Sequence, residues 1–346
     1  MGILSSKDIH WIDSVKCICM LSVYLIHSQF YYGYGNIKYG NVLVPFFING
    51  FFFVSGYLFF YKQLSPSIDS KGTFSKAKQQ INNTIFRLII PTVLFSTIVF
   101  IPKNLFHSNN LNWGTYFFEV FGGISFWFTS ALTIVQIIFI ALLLSRKKNI
   151  WFYFIVSVVL SLTAIYFNNQ HSIVSLSFYF PWYYKTALAY TFLYALGGIY
   201  MKYEMKIDQI CKKCLPLLML IYIVAFIFWG DLNVTLLSLR GQMNIAGLLI
   251  MLVSFVLIIA LSKSFTPTLL IKYIGRKSIV LYFFSGVFPA FIGHIAKHFF
   301  PIPHYAITIV VAIISFALGL LTTWVINNYF PFLTDFRKIG NQSKRT

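Results

Sequence analysis

Long apolar runs separated by short polar stretches dominate the chain, and each run has about the length of a membrane-spanning helix. A hydrocarbon core about 30 Å thick needs roughly 20 apolar residues in a helix. Segments that meet this requirement lie at 12–32, 42–61, 84–102, 125–144, 150–167, 182–200, 215–230, 242–262, 278–299 and 304–327. The pattern therefore predicts an all-α integral membrane protein with about ten transmembrane helices.

The composition supports this prediction. The chain is 58% hydrophobic and only 10% charged, whereas soluble domains carry about 25% charged residues. The longest polar stretch, near residues 62–83, is too short to bury a second hydrophobic core. We therefore expect a single multi-pass membrane domain over residues 1–346, with a cytoplasmic tail at 331–346.

The positive charges follow the predicted topology. The formal net charge is +19, and a basic protein of this kind can attract nucleic acid. With the N-terminus inside, however, most of the 27 Lys and Arg residues fall in loops on the inner side. The positive-inside rule then predicts that both termini are cytoplasmic. Membrane lipids are the expected surroundings, and no nucleic-acid partner is expected.

Two short patterns resemble fragments of metal sites. The segment 211–214 is a lone Cys-x-x-Cys, which is a weak zinc signal without a second pair. His294 and His298 lie one helical turn apart, a spacing that can chelate a metal ion, but no acidic residue lies close to them in the sequence. We therefore predict no metal site.

The first apolar run carries ionisable residues that are costly to bury in a bilayer. Asp13, Lys16 and His27 all lie in it, and such residues inside a membrane mark candidate functional sites. The eleven positions from Lys16 to His27 correspond to about 16.5 Å along a helix, and three turns return both side chains to nearly the same face. We expect Lys16 at the cytoplasmic entrance and His27 about halfway across.

This geometry suits an elongated substrate that is anionic at one end and reactive at the other. Coenzyme A thioesters have this shape, and a neutral imidazole is a suitable general base for a hydroxyl nucleophile. Two structural interpretations stand beside this one. Lys16 could extend to the interface, and His27 could be a hydrogen-bonded core histidine. Asp13 is either an ion-pair partner of Lys16 or a catalytic group.

Several sequence stretches, taken together, resemble one family. Asp13-x-x-Lys16-x10-His27 resembles the first-helix signature of the membrane-bound acyltransferase-3 family, and further similar stretches follow in that family's order. They are FFFVSGYLFF (51–60), RLIIP (87–91), FWFTSALTIVQ (126–136), YTFLYALGGIY (190–200) and IGRKSIVLYFFSG (274–286). The similarity extends over residues 11–330.

The resemblance implies an enzyme of the bacterial inner membrane that acylates glycans. Such an O-acyltransferase moves an acyl group, most often acetyl, from cytoplasmic acyl-coenzyme A to a hydroxyl of a cell-surface glycan or its lipid-linked precursor. By this resemblance His27 is the catalytic residue, and Lys16 and Arg87 hold the donor. Acyl-coenzyme A is then a co-substrate, and no bound cofactor is expected.

The sequence departs from the family pattern at two places. Members often carry Arg-x-x-Arg before the proline of the third helix, whereas Thr84 stands where the first Arg would be. Many members also carry a His shortly after the late Tyr, whereas this chain has Ser285 near that position.

Three further residues are candidates for supporting roles. Glu119 either orients the acceptor or His27, or faces the outer interface. Trp127 has the side chain to stack on a sugar ring, although Trp is also common at membrane interfaces. Arg240 either meets an anionic glycan or lipid phosphate, or serves as an interfacial anchor.

A transporter or flippase for a lipid-linked saccharide is the alternative function. Many helices with intramembrane charges would suit it. Transporters often contain inverted repeats and broken helices in corresponding positions, and the sequence shows no such internal symmetry. The spacing from Lys16 to His27 also has no clear role in a transporter, so the sequence favours the enzyme.

Overall fold

The computed structural model describes most of the chain. The described residues are 9–33, 45, 47–64, 72–106, 112–145, 149–170, 182–229 and 245–338. Within these ranges the regular structure is helical and no strand is present. The prediction of an all-α protein is therefore confirmed for the part of the chain that is described.

Thirteen α-helices lie within the described residues. In chain order they are α1 (His10–Tyr31), α2 (Asn49–Leu64), α3 (Thr73–Thr84), α4 (Ile90–Phe106), α5 (Trp113–Val120), α6 (Trp127–Leu144), α7 (Ile150–Gln170), α8 (Tyr184–Trp229), α9 (Ile245–Ser264), α10 (Leu269–Arg276), α11 (Ser278–Phe284), α12 (Val287–Phe299) and α13 (Tyr305–Tyr329). A π-helix (Ile85–Ile89) joins α3 to α4, and 3-10 turns follow α13 at Pro331–Leu333 and Phe336–Lys338.

Three of the described helical stretches are long and apolar enough to cross a membrane. They are Thr73–Ile101, Trp127–Leu144 and Tyr305–Tyr329. The pair α11 and α12 makes a fourth if it is taken as one span bent by 41°. These helices support a multi-pass membrane protein. The count of ten spans and the cytoplasmic position of both termini stay predictions.

The chain divides into two compact units. The first comprises Met1–Val54, Met205–Leu232 and Ile245–Leu320, and the second comprises Ser55–Glu204, Asn233–Asn244 and Leu321–Thr346. The long helix α8 changes unit close to Tyr203, whose backbone leaves the helical region at φ −113° and ψ 17°. The prediction of a single membrane domain stays a prediction.

In the first unit, α1 packs against α9, α10, α11 and α12, most extensively against α10. Gly275 of α10 makes this contact close, because a Cβ at this position would overlap the backbone of Asp13. One face of α1 is consequently buried, including Val15, Cys19 and Val23. The first unit therefore packs around one face of α1, the helix that carries the candidates Asp13, Lys16 and His27.

In the second unit, a proline accounts for the π-helix. Pro91 lacks the N–H that the carbonyl of Arg87 would accept from in an α-helix. The backbone widens here, and the N–H of Ile90 donates to the carbonyl of Ile85, five residues earlier. π-Bulges are frequently found at functional sites. This one contains Arg87.

Candidate functional site

An ion pair holds the N-terminal end of α1 against α10. The Nε atom of Arg276 lies 3.2 Å from Oδ2 of Asp13. The Asp13 side chain is only 13% exposed, whereas that of Arg276 is 49% exposed. A buried carboxylate needs such a partner, and Asp13 therefore has a structural contact with a residue that the sequence analysis did not select.

Lys16 lies one turn after Asp13 on α1 and is half-buried. A second lysine lies at the same end of the helix, since Lys263 of α9 has its Nζ 5.2 Å from the ring centre of Trp11. Lys263 also donates to Oδ2 of Asp208 at 2.6 Å. Two cationic side chains, Lys263 of α9 and Arg276 of α10, therefore lie near the N-terminal end of α1, each paired with an acidic residue.

His27 lies three turns further along α1 and is half-buried. Its Nδ1 atom is 2.7 Å from the carbonyl oxygen of Ser285. A carbonyl oxygen only accepts hydrogen bonds, so Nδ1 carries the proton in this contact. In the neutral imidazole the lone pair is then on Nε2. This arrangement selects the tautomer in which Nε2 can act as a base.

A proline explains why the carbonyl of Ser285 can accept this hydrogen bond. In an uninterrupted helix it would accept from the backbone N–H of residue 289. That residue is Pro289, which has no N–H. The chain bends between α11 and α12 at this point, as proline commonly causes. The break therefore leaves the Ser285 carbonyl available to accept a hydrogen bond from His27 of α1.

At the same break, a second backbone carbonyl accepts a hydrogen bond from a side chain of α1. The N–H of Ser285 donates to Tyr282, three residues earlier, rather than to Leu281, four residues earlier. The carbonyl of Leu281 instead accepts from the hydroxyl of Tyr24 at 3.0 Å. Tyr24 and His27 are three residues apart and share a face of α1. Both side chains therefore fasten α1 to the broken helix.

In the second unit, Arg87 projects from the π-helix and makes an ion pair. Its Nε atom lies 3.0 Å from Oδ2 of Asp335, and 56% of its side chain remains exposed. Thr84, which replaces the first Arg of the family pattern, is buried and donates to the side-chain oxygen of Gln136 at 2.8 Å. That position fastens α3 to α6 and supplies no positive charge.

Glu119 and Trp127 also lie in the second unit, at either side of a turn. Oε2 of Glu119 is 3.4 Å from the hydroxyl of Ser125, which precedes α6. Trp127 is half-buried near the rings of Tyr183 and Tyr190, each with its centre 6.3 Å away. Glu119 and Trp127 thus flank the same short connection.

The backbone near Tyr183 is strained. Trp182 and Tyr183 adopt φ of 54° and 53°, in the left-handed region that disfavours side chains with a Cβ. The indole Nε1 of Trp182 donates to the carbonyl of Phe121 at 2.8 Å. This contact holds the strained residues against the turn after α5.

Arg240 lies outside the described residues. Within the described ranges, no group of three His, Cys, Asp or Glu residues is arranged to hold a metal ion. His294 and His298 are both exposed on α12.

Residues whose partners are distant in the chain could not be selected from the sequence. Arg276, Tyr24 and Asp335 belong to this group. Pro289 could have been selected from the sequence, because a proline inside an apolar run predicts a backbone carbonyl that lacks its helical hydrogen-bond donor.

A comparison with known protein families identifies the family of this chain. A family model described as an acyltransferase domain, that of acyltransferase-3, matches residues 9–328. No curated protein and no solved structure matches the chain. The match covers nearly the whole chain and confirms the resemblance found in the sequence. The chain belongs to the acyltransferase-3 family of membrane acyltransferases.

Proposed function

We propose that this acyltransferase modifies glycans in the inner membrane of a bacterium. The acyl group, which we propose to be acetyl, comes from cytoplasmic acyl-coenzyme A. The acceptor is a hydroxyl of a cell-surface glycan or of its lipid-linked precursor. Family membership supports acyl transfer, and the observation that carries the proposal is the hydrogen bond between His27 Nδ1 and the carbonyl of Ser285.

His27 is the general base in this proposal. With its proton on Nδ1, the imidazole accepts the proton of the acceptor hydroxyl at Nε2 as the hydroxyl oxygen attacks the thioester carbonyl carbon. The resulting tetrahedral adduct collapses, and the carbon–sulfur bond breaks. The sulfur leaves with its electron pair and takes the proton from Nε2. The products are the acyl ester and coenzyme A, and His27 returns to its starting state.

The donor lies along α1 with its phosphates at the N-terminal end. Lys16 is about 16.5 Å from His27 along the helix axis, so one extended molecule reaches both. Asp13 is paired with Arg276, which limits its repulsion of the donor phosphates. Arg87 serves as a further donor cation in the second unit. Acyl-coenzyme A is a co-substrate, and the mechanism uses no bound cofactor.

The acceptor side is assigned to residues of different chemistry. Trp127 stacks on a sugar ring, as aromatic faces do with apolar sugar faces. Glu119 accepts a hydrogen bond from an acceptor hydroxyl, and Arg240 meets an anionic group of the acceptor or of its lipid carrier.

Labelling of membranes tests this function. Membranes that contain wild-type protein, His27→Ala or His298→Ala receive radiolabelled acetyl-coenzyme A, and label in the glycan fraction is counted at matched expression. We expect labelling by the wild type and by His298→Ala, which changes an exposed histidine of α12, and none by His27→Ala. Labelling by His27→Ala would remove His27 from the mechanism. No labelling by the wild type would contradict the assigned donor or acceptor.

A further inference from the structure

The chain after α13 folds back onto the π-helix within the second unit. The turn Phe336–Lys338 contacts the π-helix Ile85–Ile89. Asp335 directly precedes this turn and is buried. Residues 331–338 lie beyond the part of the chain that the family model matches. The contact therefore joins a segment outside the matched residues to the π-helix that contains Arg87.

The Asp335 carboxylate joins two arginines. Oδ2 accepts from Nε of Arg87 at 3.0 Å and from a terminal nitrogen of Arg337 at 2.7 Å. Oδ1 accepts from Nε of Arg337 at 2.8 Å and from its backbone N–H at 3.3 Å. The Asp335 side chain is only 11% exposed. Arg337 thus fixes the carboxylate, which in turn holds Arg87.

The far end of Arg337 is fastened as well. Its other terminal nitrogen donates to Oδ1 of Asn83 at 2.9 Å, on the last turn of α3. Asn83, Arg337, Asp335 and Arg87 therefore form one chain of hydrogen bonds. Charge-assisted bonds with paired contacts of this kind fix orientation as well as add energy.

The cluster retains positive charge despite the carboxylate. Arg87 and Arg337 both pair with the single carboxylate of Asp335. Lys62, in the last turn of α2, is repelled electrostatically by Arg87. Loss of surrounding water and the charge of Arg87 together lower the pKa of Lys62, although its side chain keeps exposed surface. An anion bound beside Arg87 would relieve this repulsion.

We propose that Asp335 is a positioning residue, which holds the guanidinium of Arg87 for the phosphates of the acyl donor. This inference rests on the proposed function, which makes Arg87 a donor-binding residue. Asp335 contacts Nε, and no other residue in the described part of the chain forms a hydrogen bond or ion pair with the two terminal nitrogens of Arg87, which can therefore bind another anion. Because 56% of the Arg87 side chain is exposed, an incoming phosphate can reach it.

A competing interpretation makes Asp335 an internal anion that the donor must displace from Arg87. The two interpretations predict opposite changes in the affinity for the donor when Asp335 is replaced. If Asp335 positions Arg87, its removal weakens donor binding. If it competes with the donor, its removal frees a positive charge and strengthens binding. The bidentate contact of Arg337 with the carboxylate favours positioning, because Arg337 already balances the negative charge of Asp335.

Equilibrium binding of coenzyme A to the full-length protein in nanodiscs tests the proposal. The variants are Arg87→Gln, Asp335→Asn, Asp335→Glu and the double variant Arg87→Gln/Asp335→Asn. Glu204→Gln is the control, because it also removes the charge of a hydrogen-bonded carboxylate in the second unit. The unfolding temperature of each variant is measured in parallel.

We expect Asp335→Asn to weaken coenzyme A binding about three- to fivefold, as for an ion pair that is partly exposed. Asp335→Glu restores part of the affinity, and Glu204→Gln keeps it. The double variant binds as weakly as Arg87→Gln alone, because residues that act through one another are not additive. A role confined to stability would instead produce additive losses.

The outcomes separate this inference from the proposed function. No binding of coenzyme A by the wild type, or unchanged binding by Arg87→Gln, contradicts the donor site itself. Weaker binding by Arg87→Gln with unchanged or tighter binding by Asp335→Asn overturns the positioning role alone. Additive losses in the double variant overturn it as well.

Discussion

The Nδ1 atom of His27 lies 2.7 Å from the carbonyl oxygen of Ser285, at the break between α11 and α12. Two local features of the sequence meet in this contact. A histidine in an otherwise apolar helix needs a hydrogen-bond partner, and a proline four residues after Ser285 leaves a carbonyl without its helical donor. The contact fixes both the orientation of the ring and the nitrogen that carries its proton.

Replacement of His27 by asparagine separates its structural contact from its proposed chemistry. The asparagine amide nitrogen occupies about the position of Nδ1 and still donates to Ser285, but nothing replaces Nε2. We expect acyl transfer to fall by at least about 100-fold, the usual contribution of a general base, while the unfolding temperature stays near that of the wild type.

His27→Ala is the control for this experiment, since it loses both the hydrogen bond and the base. We expect it to be inactive and also less stable than His27→Asn. Substantial activity in His27→Asn would show that Nε2 is not the base.

Replacement of Pro289 by alanine tests the helix break. Alanine supplies an N–H that competes with Nδ1 of His27 for the Ser285 carbonyl, and it favours a straighter helix. We expect kcat to fall by roughly tenfold, because a small displacement of a catalytic group is costly, with little change in the KM for the donor. Steady-state kinetics of the purified protein measures both constants.

Pro303→Ala provides the comparison, because Pro303 lies between α12 and α13 and outside both helices. It should leave kcat unchanged. Equal kcat values for Pro289→Ala and the wild type would mean that His27 keeps its orientation without the break.

Replacement of Gly275 by alanine tests the close contact of α10 with α1. The added Cβ would overlap the backbone of Asp13, and backbone cannot move aside as a flexible side chain can. Alanine gains about 0.5–1 kcal/mol over glycine in a helix, whereas overpacking costs about 1–3 kcal/mol. We therefore expect a lower unfolding temperature.

Gly72→Ala is the matched control, since nothing lies within 4 Å of a Cβ placed there. Its effect should stay below about 1 kcal/mol, because Gly72 is the N-cap of α3, where alanine is somewhat less favourable than glycine. A Gly275→Ala protein as stable as Gly72→Ala would show that α10 can move away from α1 at little cost.

The sequence predicted how the candidate residues on one helix lie relative to one another. Asp13, Lys16 and His27 share α1, and helical periodicity alone places them relative to one another. Their partners could not be predicted in the same way, because Ser285 follows His27 by 258 positions and Arg276 follows Asp13 by 263. Such pairs depend on how helices pack, which local patterns do not encode.

The tail after α13 shows the same limit. Its polar composition predicted a cytoplasmic segment and nothing more specific. The ion pair of Asp335 with Arg87 joins residues 248 positions apart. The contact depends on Pro91 as well, since that proline accounts for the π-helix from which Arg87 projects. Pro91, Arg87 and Asp335 are each visible in the sequence, but only the structure shows that the proline-associated π-helix brings Arg87 to Asp335.

The Asp335 cluster predicts a dependence of stability on pH. Hydrogen bonds from Arg337 and then from Arg87 hold the pKa of Asp335 well below its ordinary value of 3.8, although burial opposes them. A carboxyl group with a depressed pKa stabilises the folded state above its unfolded pKa, and this contribution is lost as the pH falls through the folded pKa. The wild type should therefore exceed Asp335→Asn in stability near neutral pH.

The difference between the two unfolding temperatures should stay constant from about pH 7 to about pH 5 and shrink below about pH 4. Because other carboxylates titrate equally in both proteins, the comparison isolates Asp335. Thermal unfolding in one detergent across this pH range measures it. A difference that persists unchanged to about pH 3 would contradict the depressed pKa, because the carboxyl of the unfolded chain takes up its proton near its ordinary pKa of 3.8 however low the folded pKa is. Arg337→Gln is measured alongside, with and without Asp335→Asn. Loss of this arginine should raise the folded-state pKa of Asp335, so that the stability difference near neutral pH is smaller in this background, and an unchanged difference would contradict the assigned hydrogen bonds.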